Sequence, residues 1–223
     1  MIKKKRNKRD EFLTLIPPGA KKVLDVGCGD GSLGVKLKEK GIEVIGIEKD
    51  NQLYLQAKKK FNEVFCMDAE DVKLPYPQGY FDCILCADIL EHLRDPFSTL
   101  IKLSYYLGYN GAIIASIPNV RYYKIIIRLV CGGTWDYVDS GILDRGHIRF
   151  FTLINIKELF ADSGYKIKEI KRNIVAAWGF KMMNFLFLNK LRGFLTYQYY
   201  IKAIKIEGSY INYNSKQRKI YRF

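Results

Sequence analysis

The stretch 21-KKVLDVGCGDGSLGVKLKEKG-41 decides the fold. Residues 21 to 27, KKVLDVG, are a short apolar run that stops at glycines, the pattern of a buried parallel strand. Residues 32 to 40 carry apolar positions at helical spacing, and Gly41 closes that helix as a C-terminal cap. The glycines between the two let the chain turn sharply and let a ligand approach the backbone closely. Their spacing is G-x-G-x-G, with Asp25 ahead of the first. Glu48 ends a second strand, 42-IEVIGI-47, 19 residues after Gly29. A carboxylate placed there can accept both hydroxyls of a ribose. The ligand expected is therefore a nucleoside, although the loop alone is shared by several nucleotide-binding folds.

Outward from this loop the same rhythm continues. A helix is expected over about 51 to 60, a short strand over 64 to 67 and a turn-rich segment over 72 to 82. A strand over 82-DCILCA-87, a helix over 98 to 107 and a strand over 111-GAIIASIP-118 follow. Strands alternating with helices imply a doubly wound, Rossmann-like α/β sheet. After Asn119 the spacing predicts a short helix over 122-YYKIIIRLV-130, a polar stretch 140-SGILDRGHIRFFT-152 and an amphipathic helix over 153 to 164. A strand over 165 to 175, an aromatic and partly basic helix over 178 to 194, and a last strand over 196-TYQYYIKAIKI-206 complete seven strands. The organisation expected is one domain over 1–206 with a basic N-terminal extension (1–20) and an insertion over 119–152. A polar tail, 207–223, comes last.

Composition sets bounds. The 223 residues are 48% hydrophobic and 27% charged, as in a globular domain. No apolar run approaches the length of a membrane span, and the basic start lacks the apolar core of a signal peptide. Five scattered cysteines argue against a disulfide framework and for a reducing cytoplasm. Cys83 and Cys86 form a C-x-x-C, but residues three apart in a strand point to opposite faces and cannot share a metal. The net charge of +14 is concentrated partly at the two ends. It suggests nucleic acid, an anionic membrane surface or anionic substrates, or simply solvated ends.

No P-loop lysine is present, which argues against nucleoside triphosphate chemistry. Asp68 follows the third strand in 65-FCMDAED-71, where a carboxylate can accept from an adenine amino group. Asp88 and His92 follow the fourth in 86-CADILEHLRDP-96. With VLDVGCGDGSLG, VIGIEKD, MDAEDVKLPYPQGYFDCILCADILEHLRDP and GAIIASIPN in this order, residues 20 to 120 resemble the class I S-adenosylmethionine-dependent methyltransferases. The resemblance implies a seven-stranded sheet, mostly parallel, whose last strand is antiparallel. It implies S-adenosylmethionine as cofactor and S-adenosylhomocysteine as product. By it, Gly27, Cys28 and Gly29 lie against the methionine part and sugar, and Asp25 orients that loop. Glu48 holds the ribose, Lys49 flanks the adenine, Asp68 and Ala69 read its edge, and Ala87 and Asp88 line the floor beside the sulfonium.

Methyl transfer asks the protein to align a nucleophile and exclude water. A hydroxyl acceptor can also need a base, for which histidine is suited. The chain has two histidines, His92 and His147, and both are catalytic candidates. The insertion emerges beyond the carboxyl ends of the strands, where ligands of open α/β sheets bind. Asn119, Trp135, Asp139 and Arg149 are thus the substrate-side candidates. The alternative for 140–152 is a structural wall of ion pairs with a satisfied histidine. No metal is expected; the one alternative is Asp88, Glu91 and His92 on a shared helical face. The pieces WDY, DSGILDRGH and RFFT are similar to a bacterial subgroup associated with cell-surface polysaccharide systems. A hydroxyl or amino group of a small, glycan-linked or lipid-linked acceptor follows from that likeness. The amphipathic segments 122–130 and 178–194 add a possible peripheral contact with the inner membrane face. A nucleic-acid (RNA) methyltransferase and a non-catalytic cofactor-binding protein are the competing readings. The first is disfavoured because no N-P-P-Y or D-P-P-Y follows the fourth strand.

Overall fold

The computed structural model describes residues 12–176, 180, 182, 185 and 188–206. Its centre is a seven-stranded sheet in the order β3-β2-β1-β4-β5-β7-β6. The strands are β1 (Lys22–Val26), β2 (Glu43–Glu48), β3 (Glu63–Cys66), β4 (Phe81–Ala87), β5 (Leu107–Pro118), β6 (Tyr165–Ile174) and β7 (Thr196–Lys205). The first five pair in parallel; β7 runs antiparallel to both β5 and β6. The helices are α1 (Ser32–Lys38), α2 (Asn51–Ala57), α3 (Pro96–Tyr106), α4 (Tyr123–Gly132), α5 (Leu153–Asp162) and the single turn α6 (Arg192–Leu195). The seven-stranded sheet with an antiparallel last strand is as the sequence implies.

Alternation along each strand sorts the core into two layers, because successive side chains leave opposite faces. Leu24, Val26, Ile45 and Ile84 join α3 and α5 on one face through Phe97, Leu100 and Phe160. Val23, Val44 and Leu85 join α1 on the other through Leu33 and Leu37, with Phe61. Cys83 lies in the second layer and Cys86 in the first, so they cannot chelate one ion. Burial pushes both thiols far up. Residues 12 to 15 also belong to the second layer: Phe12, Leu13 and Leu15 are buried there. The expected extension over 1–20 therefore ends in core, and only its first eleven residues, with the tail over 207–223, lie outside the described residues. So do residues 178, 179, 181, 183, 184, 186 and 187 of the aromatic helix expected over 178–194.

The order of the sheet reverses at β1, whose neighbours are β2 and β4. Connections there leave the sheet in opposite directions and open a crevice beyond the carboxyl ends of β1 and β4. Two packing details hold the glycine loop over this crevice. Asp50 caps α2, accepting from the backbone amides of Gln52 and Leu53 at 2.9 Å each. Gly34, inside α1, lets the Phe61 ring pack against the helix: a Cβ there would lie 2.2 Å from two ring carbons. Gly34→Ala should therefore cost about 1–3 kcal/mol despite its better helix propensity. Urea unfolding measures this, and Phe61→Leu added to Gly34→Ala should recover part of the loss.

Candidate active site

The glycine loop is fixed by β2. The amides of Gly27 and Cys28 both donate to the Ile47 carbonyl, at 2.8 and 3.0 Å. The next amide, Gly29, donates to Oε2 of Glu48 at 2.8 Å, while Oε1 of Glu48 accepts from the Asp50 amide at 2.9 Å. Each carboxylate oxygen keeps a further lone pair. Gly27 sits at φ +69, and a Cβ there would reach 2.8 Å from Ile89, so glycine is required twice over. Gly29, at φ +56, has nothing within 4 Å of where its Cβ would stand. Its open side is the cavity.

That cavity has a volume of about 370 Å³. Asp25, Gly27, Cys28, Gly29 and Asp30 line one side, and Ala87, Asp88, Ser116 and Gln198 the other, with Phe12 and Tyr200 above. Asp88 stands at φ +53, a rare backbone state for a residue with a side chain. It is held there: its amide donates to the Ser116 hydroxyl at 3.0 Å, and that hydroxyl donates back to its carboxylate at 2.9 Å. The Gln198 amide also donates to the Asp88 carboxylate. Lys49 and Asp68 meet at 3.9 Å beyond the end of β2. Asp68 caps the short turn that begins at buried Ala69, accepting from the Glu70 amide at 3.0 Å.

The insertion folds back onto the segment after β4. The carbonyl of Glu91 accepts from the amides of Ile148 and Arg149, both at 3.0 Å. His92 Nδ1 donates to the Gly146 carbonyl at 2.9 Å, and Arg149 donates to the Arg94 carbonyl at 2.5 Å. His147 is buried; its Nδ1 faces the Ile142 carbonyl at 3.0 Å, and its Nε2 lies 3.9 Å from Oε1 of Glu91. That last gap is too long for a hydrogen bond. Both Glu91 oxygens are buried with no hydrogen-bond partner, and burial, then the nearby Asp88 charge, pushes this carboxyl well up. The two imidazoles meet edge to face at 4.7 Å between ring centres. Burial also lowers His92 below the ordinary imidazole range.

The methyltransferase-domain family matches residues 2–170, about three quarters of the sequence. The chain belongs to this family. A ubiquinone biosynthesis O-methyltransferase of Thiobacillus denitrificans is 32% identical over 139 residues, covering 56% of this chain and 60% of that protein. One of the same name from Chromobacterium violaceum is 32% identical over 145 residues, covering 62% and 60%. The chain thus spans about 60% of the length of these curated relatives. Among solved structures, an Archaeoglobus fulgidus SAM-dependent methyltransferase superposes with a TM-score of 0.64 at 20% identity, covering 87% of this chain and 90% of that one. A Listeria monocytogenes counterpart described as a SAM-dependent methyltransferase gives 0.63 at 18%, covering 89% and 96%. At that identity the likeness shows the fold.

S-adenosylmethionine is the cofactor of this methyltransferase fold, and the residues present fit it. The cofactor carries a sulfonium and an ammonium, and the cavity offers the carboxylates of Asp25, Asp30 and Asp88 with Glu48 behind the loop. Asp30 is held down to about 2 by its Ser32 and Lys60 partners. Of the expected cofactor residues, Asp25, Gly27, Cys28, Gly29, Ala87 and Asp88 share the cavity wall. Four wall residues carried no local signal: Phe12, Ser116, Gln198 and Tyr200.

The expected substrate-side residues are dispersed. Asn119 is fully buried, and its side-chain amide donates to the carbonyls of Gly193 and Thr196 at 2.9 and 2.7 Å, which makes it a brace. Trp135 packs edge-on against Phe150 at 5.3 Å. Asp139 pairs with Arg145 at 3.1 Å on the surface. Arg149 is part of the clasp on the segment after β4. Among the described residues, Glu91, His92 and His147 offer ligand atoms within 4.8 Å of one another, near enough for a divalent cation. Asp88, named with Glu91 and His92 in the sequence alternative, is not in that group. Glu48→Ala should weaken S-adenosylhomocysteine binding about tenfold or more, since ribose contacts and the Gly29 tether go together. Isothermal titration with the folded variant reads this directly.

Proposed function

We propose that this methyltransferase methylates a hydroxyl group of a small acceptor, with His92 as the base. The observation that carries the reading is the placement of His92. It stands on the segment that begins with cavity-lining Asp88, and its Nδ1 is committed to the Gly146 carbonyl. That commitment fixes the neutral tautomer and leaves the Nε2 lone pair free for a hydroxyl proton. The O-methyltransferase relatives support a hydroxyl over an amino acceptor.

S-adenosylmethionine, when bound, supplies an activated methyl group. The chain's own residues do the rest. The carboxylates of Asp25 and Asp88 favour a cation in the cavity, and Phe12 and Tyr200 add aromatic surface to its wall. His92 would take the proton from the acceptor oxygen, whose new bond to the methyl carbon would form as the carbon–sulfur bond breaks and leaves the neutral thioether of S-adenosylhomocysteine. His147, packed against the His92 ring and hydrogen-bonded to Ile142, positions it. The aromatic wall of the insertion, Trp135 and Phe150, suits an acceptor with an apolar or glycan-bearing chain.

His92→Ala should lower turnover of a phenolic probe bearing an alkyl tail by about 10²–10⁴-fold. Its affinity for S-adenosylhomocysteine should stay close to that of the parent. Unchanged turnover would remove His92 as the base, and methylation of amines alone would remove the hydroxyl reading. His147→Ala should lose about 1–3 kcal/mol of folding stability along with activity, because the Ile142 carbonyl loses its buried partner.

A further inference from the structure

Helix α4 has an unusual relation to the rest of the protein. It is among the most apolar helices in the sequence, yet none of its residues is buried. Ile127, Leu129 and Val130 face solvent, Val130 at 74% exposure. Nearby chain shows the same property: Met182, Phe185 and Leu188 are exposed, the last two at 70% and 79%. The two regions are fastened together. The Tyr123 ring lies 4.5 Å from that of Phe180, the Tyr122 hydroxyl donates to the Val175 carbonyl at 2.7 Å, and Arg121 stacks over Phe194 at 4.5 Å.

Apolar groups left in water at this density mark a contact surface. The charges around them indicate its partner. Residues 120–135 and 175–195 each contain three Lys or Arg and no Asp or Glu. The first carboxylate after α4, Asp136, is paired with Arg128 at 3.3 Å. Two copies of such a face would bring like charges together, in a chain already at +14. A surface that is apolar beneath and negative at its rim satisfies both features.

We infer that α4, with Met182, Phe185 and Leu188, forms a docking face for an anionic lipid bilayer. The apolar side chains enter the interface, and Arg121, Lys124, Lys190 and Arg192 remain at headgroup level. The inference does not depend on which group is methylated.

Co-sedimentation tests it, using the full chain with vesicles of phosphatidylcholine alone and of phosphatidylcholine and phosphatidylglycerol in equal parts. The expected result is binding to the mixed vesicles only. Replacing Ile127, Val130 and Phe185 together by serine should weaken that binding about tenfold or more. These positions are exposed, so the melting temperature and S-adenosylhomocysteine affinity of the triple variant should match the parent. No binding to mixed vesicles would overturn the inference. Binding unaltered by the triple substitution would also overturn it, by showing attraction through charge alone. So would a dimer in solution that the substitution dissolves while lipid binding is absent, because the face would then be a self-contact.

Discussion

The site depends on one buried carboxylate. Glu48 closes β2 and reaches across to the first strand's loop, where it accepts the Gly29 amide. Its other oxygen accepts from Asp50, which in turn caps α2. A single side chain therefore couples the end of β2, the start of α2 and the backbone that lines the cavity. Three successive amides, from Gly27 to Gly29, are spent on β2. The positive-φ path of the loop persists because those bonds define it and because glycine adopts it without steric cost. The crevice at the sheet's switch point is thus lined by backbone that cannot collapse into it.

This part of the protein was legible in sequence because its signals are local. The glycine spacing, the acidic residue ending β2 and the 2.0-residue period of the strands lie within short windows. The cysteine pair was equally readable, since strand alternation alone separates Cys83 from Cys86. The opposite wall was not. Ser116 and Gln198 hold the Asp88 carboxylate from two strands that meet through antiparallel pairing, with Pro118 opposite Gln198 and Ser116 opposite Tyr200. No spacing within a strand encodes that register. Phe12 was hidden by a different cause: it follows closely on a charged run over residues 3–11, and that charge pattern masks a short apolar segment that packs into the core.

The insertion shows a third kind of concealment. What fastens it to the segment after β4 is largely main chain: the Glu91 carbonyl with two amides, and the Gly146 carbonyl with His92. Reading side chains suggested Asn119, Trp135, Asp139 and Arg149 as a group. Asn119 instead spends its amide on Gly193 and Thr196, and Asp139 points to Arg145 at the surface. The histidines that stood 55 positions apart in sequence do meet, at 4.7 Å. Their meeting follows from the clasp, which side-chain chemistry could not foretell.

Charge is distributed against the protein's own average. A chain at +14 lines its cavity with Asp25, Asp30 and Asp88, and burial, then the Asp25 and Glu48 charges, pushes the Cys28 thiol up. Lys60 pairs with Asp30 at 3.0 Å, while charges farther off are screened over roughly 8–10 Å of saline solvent. The interior field therefore selects a cationic cofactor, while the exterior field favours anionic surroundings. The two fields meet at the insertion. One part of it holds His92 through the Gly146 carbonyl, and another presents a carboxylate-free apolar helix to solvent.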